Sequence, residues 1–313
     1  AKNTTKQLPA LEIHADQFEL FEKKFGRADL SASNTLAQDG REWNIDRLHL
    51  KNEDAELNAT GKWSSIKDLS QTQLNYSLDI YNAGKLLDRL GFVDFLRSGK
   101  GKLEGELRWT GLPFELDLPS LSGKLELKLS AGQFLKVDGG VAKLIGVLNM
   151  QSLPRRLFLD FRDVFAEGFA FDTVNGSAAI VNGVASTDNF KMSSVSATVL
   201  AEGSANIVKE TQDLHVARIA NLNFGAASVV YGLIANPAIG LSTFLAQLLF
   251  KDPLKRAATE ELRITGTWQN PIVTELENKE RQAILAKQKA EKQKLDQTKK
   301  ETNLPSSERV LEK

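Results

Sequence analysis

Apolar and polar residues alternate with a period of two through most of residues 8–220, the mark of strands with one apolar and one polar face. Leu11, Ile13 and Ala15 alternate with Glu12, His14 and Asp16. Leu57, Ala59, Gly61 and Trp63 form a second such face, and Leu74, Tyr76, Leu78 and Ile80 a third. Leu103, Gly105, Leu107 and Trp109 follow, then Leu121, Gly123, Leu125, Leu127 and Leu129. The habit returns in Leu157, Leu159 and Phe161 and in Ala197, Val199, Ala201, Gly203 and Ala205. Turn chemistry separates the runs at Asp39-Gly40, Asn52-Glu53-Asp54 and Asn182-Gly183. The fold predicted is mainly β, a long curved antiparallel sheet. Two helices interrupt it. One lies near 82–97, with Asn82 as cap and Leu86, Leu87, Leu90 and Phe95 on one stripe; the other lies near 139–150, with Val141, Leu144, Ile145 and Leu148.

The strand blocks repeat. Leu48, Leu50, Leu57, Ala59, Gly61 and Trp63 reappear 142 positions on as Phe190, Met192, Val199, Ala201, Gly203 and Ala205. Leu11, Ile13 and Ala15 match Leu157, Leu159 and Phe161 at an offset of 146. Thr60-Gly61-Lys62-Trp63 is echoed by Thr265-Gly266-Thr267-Trp268. A repeated β block extends a sheet; it does not build a compact catalytic cleft.

The organisation expected is a β domain over 1–218, an apolar segment over 219–256, a final strand over 257–274 and a charged tail over 275–313. Residues 219–250 carry no charge, but Asn221, Asn223 and Asn236-Pro237 interrupt them. A helix capped at Asn236 and ending at Phe250 would reach about 21 Å, short of the roughly 30 Å hydrocarbon core. The segment reads either as an interfacial insert or as a buried cap. Leu262, Ile264, Gly266 and Trp268 read as the last strand, stopped at Asn270-Pro271. The tail is a helix or disorder, with ten basic and eight acidic residues and no sustained heptad.

Composition narrows the function. Forty basic and forty acidic side chains leave no basic surface for nucleic acid in the 313 residues. With no cysteine there is no disulfide framework, thiolate metal site or cysteine nucleophile. The three histidines, His14, His49 and His215, are scattered and read as surface residues, not as a metal set. No cofactor is expected. Gly99-Lys100-Gly101-Lys102-Leu103-Glu104-Gly105 opens a strand, so it is a hairpin entry and not a phosphate loop. Asp160 and Asp163 carry the spacing of an acid/base pair, but Asp160 and Arg162 share the polar face of a strand, and cross-strand ion pairing accounts for them. No enzyme is indicated. The chain starts at Ala1 with no signal segment and reads as a fragment or a processed chain.

One pattern is specific. Gln133-Phe134-Leu135-Lys136-Val137-Asp138, Leu144-Ile145-Gly146-Val147-Leu148, Leu153-Pro154-Arg155-Arg156 through Asp163, and Gly168-Phe169-Ala170-Phe171-Asp172 occur in order. Asn236-Pro237-Ala238-Ile239-Gly240, Phe244-Leu245-Ala246-Gln247 and Thr265-Gly266-Thr267-Trp268-Gln269-Asn270-Pro271 extend the run. Together they resemble the C-terminal region of YhdP-type AsmA-like proteins, of the AsmA/TamB superfamily, over roughly residues 8–274. The resemblance implies very large Gram-negative envelope proteins, anchored in the inner membrane by an N-terminal helix absent here. It implies a repeating β-groove that carries phospholipid across the periplasm, with this part at the outer-membrane end.

On that reading the partners are phospholipid and membrane, and the apolar strand faces line the groove. The lining expected is Leu57, Ala59, Trp63, Leu103, Leu107, Leu125, Leu127, Leu159, Phe161, Val199 and Ala201. Membrane contact falls to Val229, Val230, Leu233, Ile234, Phe244, Leu245, Leu248, Leu249 and Phe250. Arg155, Arg156, Lys251, Lys255 and Arg256 are headgroup candidates. The alternative is a structural or assembly factor, with a closed β core and a protein partner bound through residues 225–250. Alternation is the same whether the apolar faces close on one another or stay open to lipid.

Overall fold

The computed structural model describes residues 8–20, 22–37, 40–66, 69–135, 170–195, 197–220, 259–268 and 270–276. They form a single sheet of thirteen strands in sequence order, every neighbour antiparallel. The strands are β1 (Leu11–Leu20), β2 (Lys23–Ala37), β3 (Gly40–Lys51), β4 (Ala55–Ile66), β5 (Leu69–Ile80), β6 (Leu96–Thr110) and β7 (Ser122–Phe134). They continue as β8 (Ala170–Val181), β9 (Val184–Ser193), β10 (Ala197–Asn206), β11 (Thr211–Ala220), β12 (Thr259–Gly266) and β13 (Pro271–Glu275). The last strand begins at Pro271, just beyond the predicted stop, because an edge strand tolerates a residue without an N–H.

Register carries the apolar positions across the sheet as continuous rows. One row runs Leu11–Ala32–Ile45–Gly61–Leu74–Leu107–Gly123–Ile180–Ala185–Ala205–Gln212, from β1 to β11. A second runs Ala28–Leu50–Leu57–Leu78–Leu103–Leu127–Gly176, and a third Phe190–Ala201–Val216–Leu262. Because side chains alternate across a strand, all three rows share one face of a trough that runs across the strands. At about 4.8 Å per strand its length is about 60 Å.

Glycines on that face set the bend. A methyl group at Gly61, Gly101, Gly105, Gly123 or Gly203 would overlap the backbone carbonyl oxygen of the adjoining strand. Those five positions let neighbouring backbones close on the apolar side, which curves the sheet toward it.

The repeat is built into the backbone. In β3–β4, Leu50 faces Leu57, Leu48 faces Ala59 and Ile45 faces Gly61, with one extra residue bulged on β3. In β9–β10, Met192 faces Val199, Phe190 faces Ala201 and Thr187 faces Gly203, with the bulge at the same place on β9. The hairpin turns match as well. Asn52 Oδ1 accepts from the N–H of Ala55 at 3.0 Å, and Ser194 Oγ accepts from the N–H of Ala197 at 3.0 Å. A duplicated bulge pins the register of both hairpins and keeps their apolar residues on one face.

Successive connections alternate between two rims of the trough. The first rim holds the turn 52–54, the β5–β6 connection and the turn 194–196; β7 ends there and β8 begins there, as do β11 and β12. The second rim holds the segment 111–121 and the turns 182–183, 207–210 and 267–270.

The helix expected near 82–97 is shorter. Helix α1 spans Ala83–Leu90, capped by Asn82, whose side chain accepts from the N–H of Lys85, and stopped by Gly91 at φ 99°. From Leu96 the chain pairs with Phe134, so cross-strand hydrogen bonds take over the residues beyond the cap. Arg89 pins the helix by donating to Asp54 Oδ2 at 2.9 and 2.5 Å and to the Lys24 carbonyl at 2.9 Å. Leu86 and Leu87 then pack onto the cluster of Ile80, Leu96, Phe171 and Met192. The helix expected at 139–150 lies outside the described residues, as does the 157–161 copy of the first strand.

Replacing Gly105 by valine is expected to lower unfolding stability by about 1–3 kcal/mol, because the added carbons meet the Lys124 carbonyl, which is backbone. Ala179→Val, on the exposed face of β8, is expected to stay within about 0.5 kcal/mol. Urea titration of both variants checks the contrast.

Candidate functional site

The apolar face is covered unevenly. Across β4–β7, Leu57, Leu103, Leu107, Leu125, Leu127 and Leu129 are only half-buried, although all point to the same side. Across β9–β12, Met192 is 0 %, Val199 1 %, Val216 1 % and Ile264 2 % exposed. There the opposite face is buried too, at Thr198, Leu200, Glu202, His215, Ala217 and Glu261. One part of the sheet is therefore a trough with accessible leucines, and the other is a two-sided core. Of the predicted lining residues, Leu57, Leu103, Leu107, Leu125 and Leu127 are half-buried in the accessible part, Val199 and Ala201 are buried in the core at β10, and Ala59 and Trp63 are buried although they lie on β4.

Both rims are apolar. At the first, Leu86 and Leu87 of α1 and Phe95 pack beside Leu103 and Leu127. At the second, Leu116 and Leu118 from 111–121 pack on Trp109, Leu121, Ile180, Ile207 and Trp268. All four tryptophans of the chain (Trp43, Trp63, Trp109 and Trp268) lie at this second rim. Trp43 and Trp109 donate their indole N–H to the carbonyls of Pro9, at 2.7 Å, and Leu112, at 3.0 Å. The indole N–H of Trp63 and of Trp268 and both polar atoms of the Gln212 side chain are buried without a hydrogen-bond partner among the described residues. Beyond them Phe114 and Val208 stand exposed on connections of the same rim, and Val181 and Ile272 stand exposed at the rim-side ends of β8 and β13.

The outer face carries the charges, and here the histidine reading needs correction. His14 is exposed, but His49 is largely buried and His215 fully so. His14 Nδ1 lies 2.7 Å from Asp29 Oδ1, and His49 bridges Asp29 Oδ2 at 3.3 Å and Glu56 Oε1 at 2.8 Å. Tyr81 and Lys51 close the ladder on Glu56 Oε2, at 2.6 and 2.8 Å. His14, His49 and Arg27 hold the Asp29 carboxyl far below its ordinary range, against the opposing effect of burial. Lys51, Tyr81 and His49 lower Glu56 to about 2. His215 lies between Glu202, at 3.4 Å, and Glu261, at 3.0 Å. Burial works against its charge, but the two carboxylates outweigh burial and raise it to about 8. Alternation places all three histidines on the polar face, as the sequence implies, but not the covering of that face at β10–β12.

Among the described residues no group of three or more His, Asp or Glu is placed to hold a metal, and no helix is long and apolar enough to cross a membrane. Leu159, Phe161, Arg155 and Arg156 lie outside the described residues, as do the contact residues of 229–250 and Lys251, Lys255 and Arg256. The ion pairing expected at Asp160 and Arg162 falls outside them as well. Sequence reasoning missed the His–carboxylate ladders and the unpartnered Gln212. A lone Gln in an apolar register was the available signal for the latter.

The raised His215 contributes stability that is complete below the unfolded value of 6.5 and is lost as pH rises through about 8. The unfolding free energy is therefore expected to fall between pH 6.5 and 8.5, by an amount on the order of 1–2 kcal/mol. His215→Gln is expected to flatten that slope, and chemical unfolding at four pH values checks it.

Comparison with known proteins gives a consistent answer. The chain is 25% identical over 270 residues to the intermembrane phospholipid transporter YhdP of Escherichia coli (strain K12), a match that covers 86% of this chain and 21% of the relative. The chain thus spans about a fifth of that relative's length. No solved structure matches. The family described as YhdP protein matches residues 1–273, and the chain belongs to the YhdP family.

Proposed function

We propose that this chain carries phospholipid by holding acyl chains along the apolar trough, without covalent chemistry. The observation that carries the reading is the band of half-buried leucines across β4–β7, continuous in register yet not closed over. Each methylene laid into the trough gains about 0.8 kcal/mol, so chains are retained without a specific pocket and slide between equivalent rows. Leu57, Leu103, Leu107, Leu125 and Leu127 line the track. Leu159 and Phe161 extend it, while Val199 and Ala201 serve as core behind it. The charged outer face keeps the sheet soluble in an aqueous compartment.

The E. coli relative, a transporter between membranes, supports placing this chain in the cell envelope; within it, the chain serves in this reading as the outer-membrane-proximal part of a longer bridge anchored elsewhere. In this reading residues 225–250 touch the membrane, and Arg155, Arg156, Lys251, Lys255 and Arg256 meet headgroups. The connections that hold them depart from one rim, the one carrying α1. That common departure favours a single membrane-facing side.

The two-sided core at β9–β12 favours a second reading for that part, a scaffold that binds a protein partner through residues 225–250. Lipid content separates the two. Native mass spectrometry with lipid extraction is expected to find phospholipid on the gently purified chain. The Leu103→Asn/Leu127→Asn double variant is expected to lose most of it while keeping its thermal transition. A folded double variant with unchanged lipid would sink the trough as the carrier. A wild-type chain that flies bare would favour the scaffold.

A further inference from the structure

We infer that Gln212 and Trp268 form a recognition site for the polar head region of a diacyl lipid, at the second rim of the trough. The inference rests on the lipid-carrying reading above. Gln212 pairs with Ala205 on the long apolar row, so it lies on the apolar face of the sheet. Trp268 is held beside it, since its backbone N–H donates to the Glu210 carbonyl at 2.9 Å and Thr211 bridges to Thr267. Gln212 is 5 % and Trp268 4 % exposed. The Gln212 amide oxygen, its amide nitrogen and the Trp268 indole N–H have no partner among the described residues. Buried polar groups are nearly always satisfied, so these three atoms on adjoining strands call for a partner that the described residues do not supply.

Their chemistry describes that partner. Two donors suit the ester or phosphodiester oxygens of a glycerolipid, and one acceptor suits an ammonium or hydroxyl hydrogen of its headgroup. The neighbouring Ile207, Ile180 and Trp109 supply an apolar wall for the chain ends. Val208 and Ile272 stand exposed on the rim beside the pair, so a lipid enters from that edge.

The repeat sharpens the point. Trp63–Thr72 in β4–β5 occupies the place of Ala205–Gln212 in β10–β11, at the rim-side end of each pair of strands. Thr72 is fully buried there, but its hydroxyl donates to the Gly111 carbonyl at 2.9 Å. In the first copy the chain satisfies Thr72, although the indole N–H of Trp63 across from it has no partner among the described residues. In the second copy Gln212 is left for a ligand.

Indole spectra test this. The chain is labelled with ¹⁵N-tryptophan, stripped of lipid, and titrated with phosphatidylethanolamine or phosphatidylglycerol, with Trp268→Phe giving the assignment. The Trp268 indole proton is expected to shift downfield on lipid uptake, while Trp43 and Trp109, already bonded to carbonyls, stay in place. Gln212→Met, of similar shape, is expected to lower retention of either phospholipid about tenfold and leave uptake of hexadecane, which has no head region, unchanged. Lipid bound by native mass spectrometry with an unmoved Trp268 signal overturns the site and leaves the transport reading standing. A signal already at the bonded position in the stripped chain, and unmoved by lipid, means a trapped water and overturns the site as well. A chain that takes up no phospholipid overturns both.

Discussion

The cross-strand backbone hydrogen bond, held in one register over thirteen strands, is the constraint on which the rest of the structure depends. Side chains alternate with a period of two, so a slip of one residue at any pair would turn every later leucine to the charged side. The chain resists this by repeating its irregularities along with its strands. The bulge that precedes Leu48 on β3 recurs before Phe190 on β9, and both hairpins are tied by a polar side chain at the same place in the turn. An irregularity kept in both copies works as a register mark.

Given that register, curvature becomes a matter of small residues. Gly61, Gly105 and Gly123 sit in the apolar rows between leucines, where a side chain would collide with a neighbouring carbonyl. The same leucines in a flat sheet would form a plain hydrophobic face in need of a second layer. Curved toward that face, they make a trough whose floor stays partly open between α1 on one rim and Leu116 and Leu118 on the other. Where both faces are covered, at β9–β12, the same alternation makes a core.

The two faces treat polar groups in opposite ways. On the outer face the histidines stand between carboxylates, each ring nitrogen of His49 and His215 facing an oxygen. Such a ladder ties neighbouring strands together, and at His215 it responds to pH. On the trough face the polar atoms are few, and those of Gln212 and Trp268 are unanswered by the described chain.

The sequence by itself determined the β class, the strand faces and the duplicated hairpin, since each is written in local periodicity, which one chain carries without reference to its neighbours. Leu57, Leu103 and Leu127 could be placed on one face from spacing alone, and the ordered motifs pointed to the family that residues 1–273 match. Other things are fixed only by what lies across the sheet. Helix α1 is short because residues beyond Gly91 are claimed by pairing with β7. His215 is buried because its nominally polar face is covered. Val199 and Leu127 carry the same pattern and differ in exposure, since burial depends on the layer above a residue and not on its neighbours along the chain. Gln212 belongs to no recognisable motif. Only the register that sets it in an apolar row beside Trp268 gives it a chemical meaning.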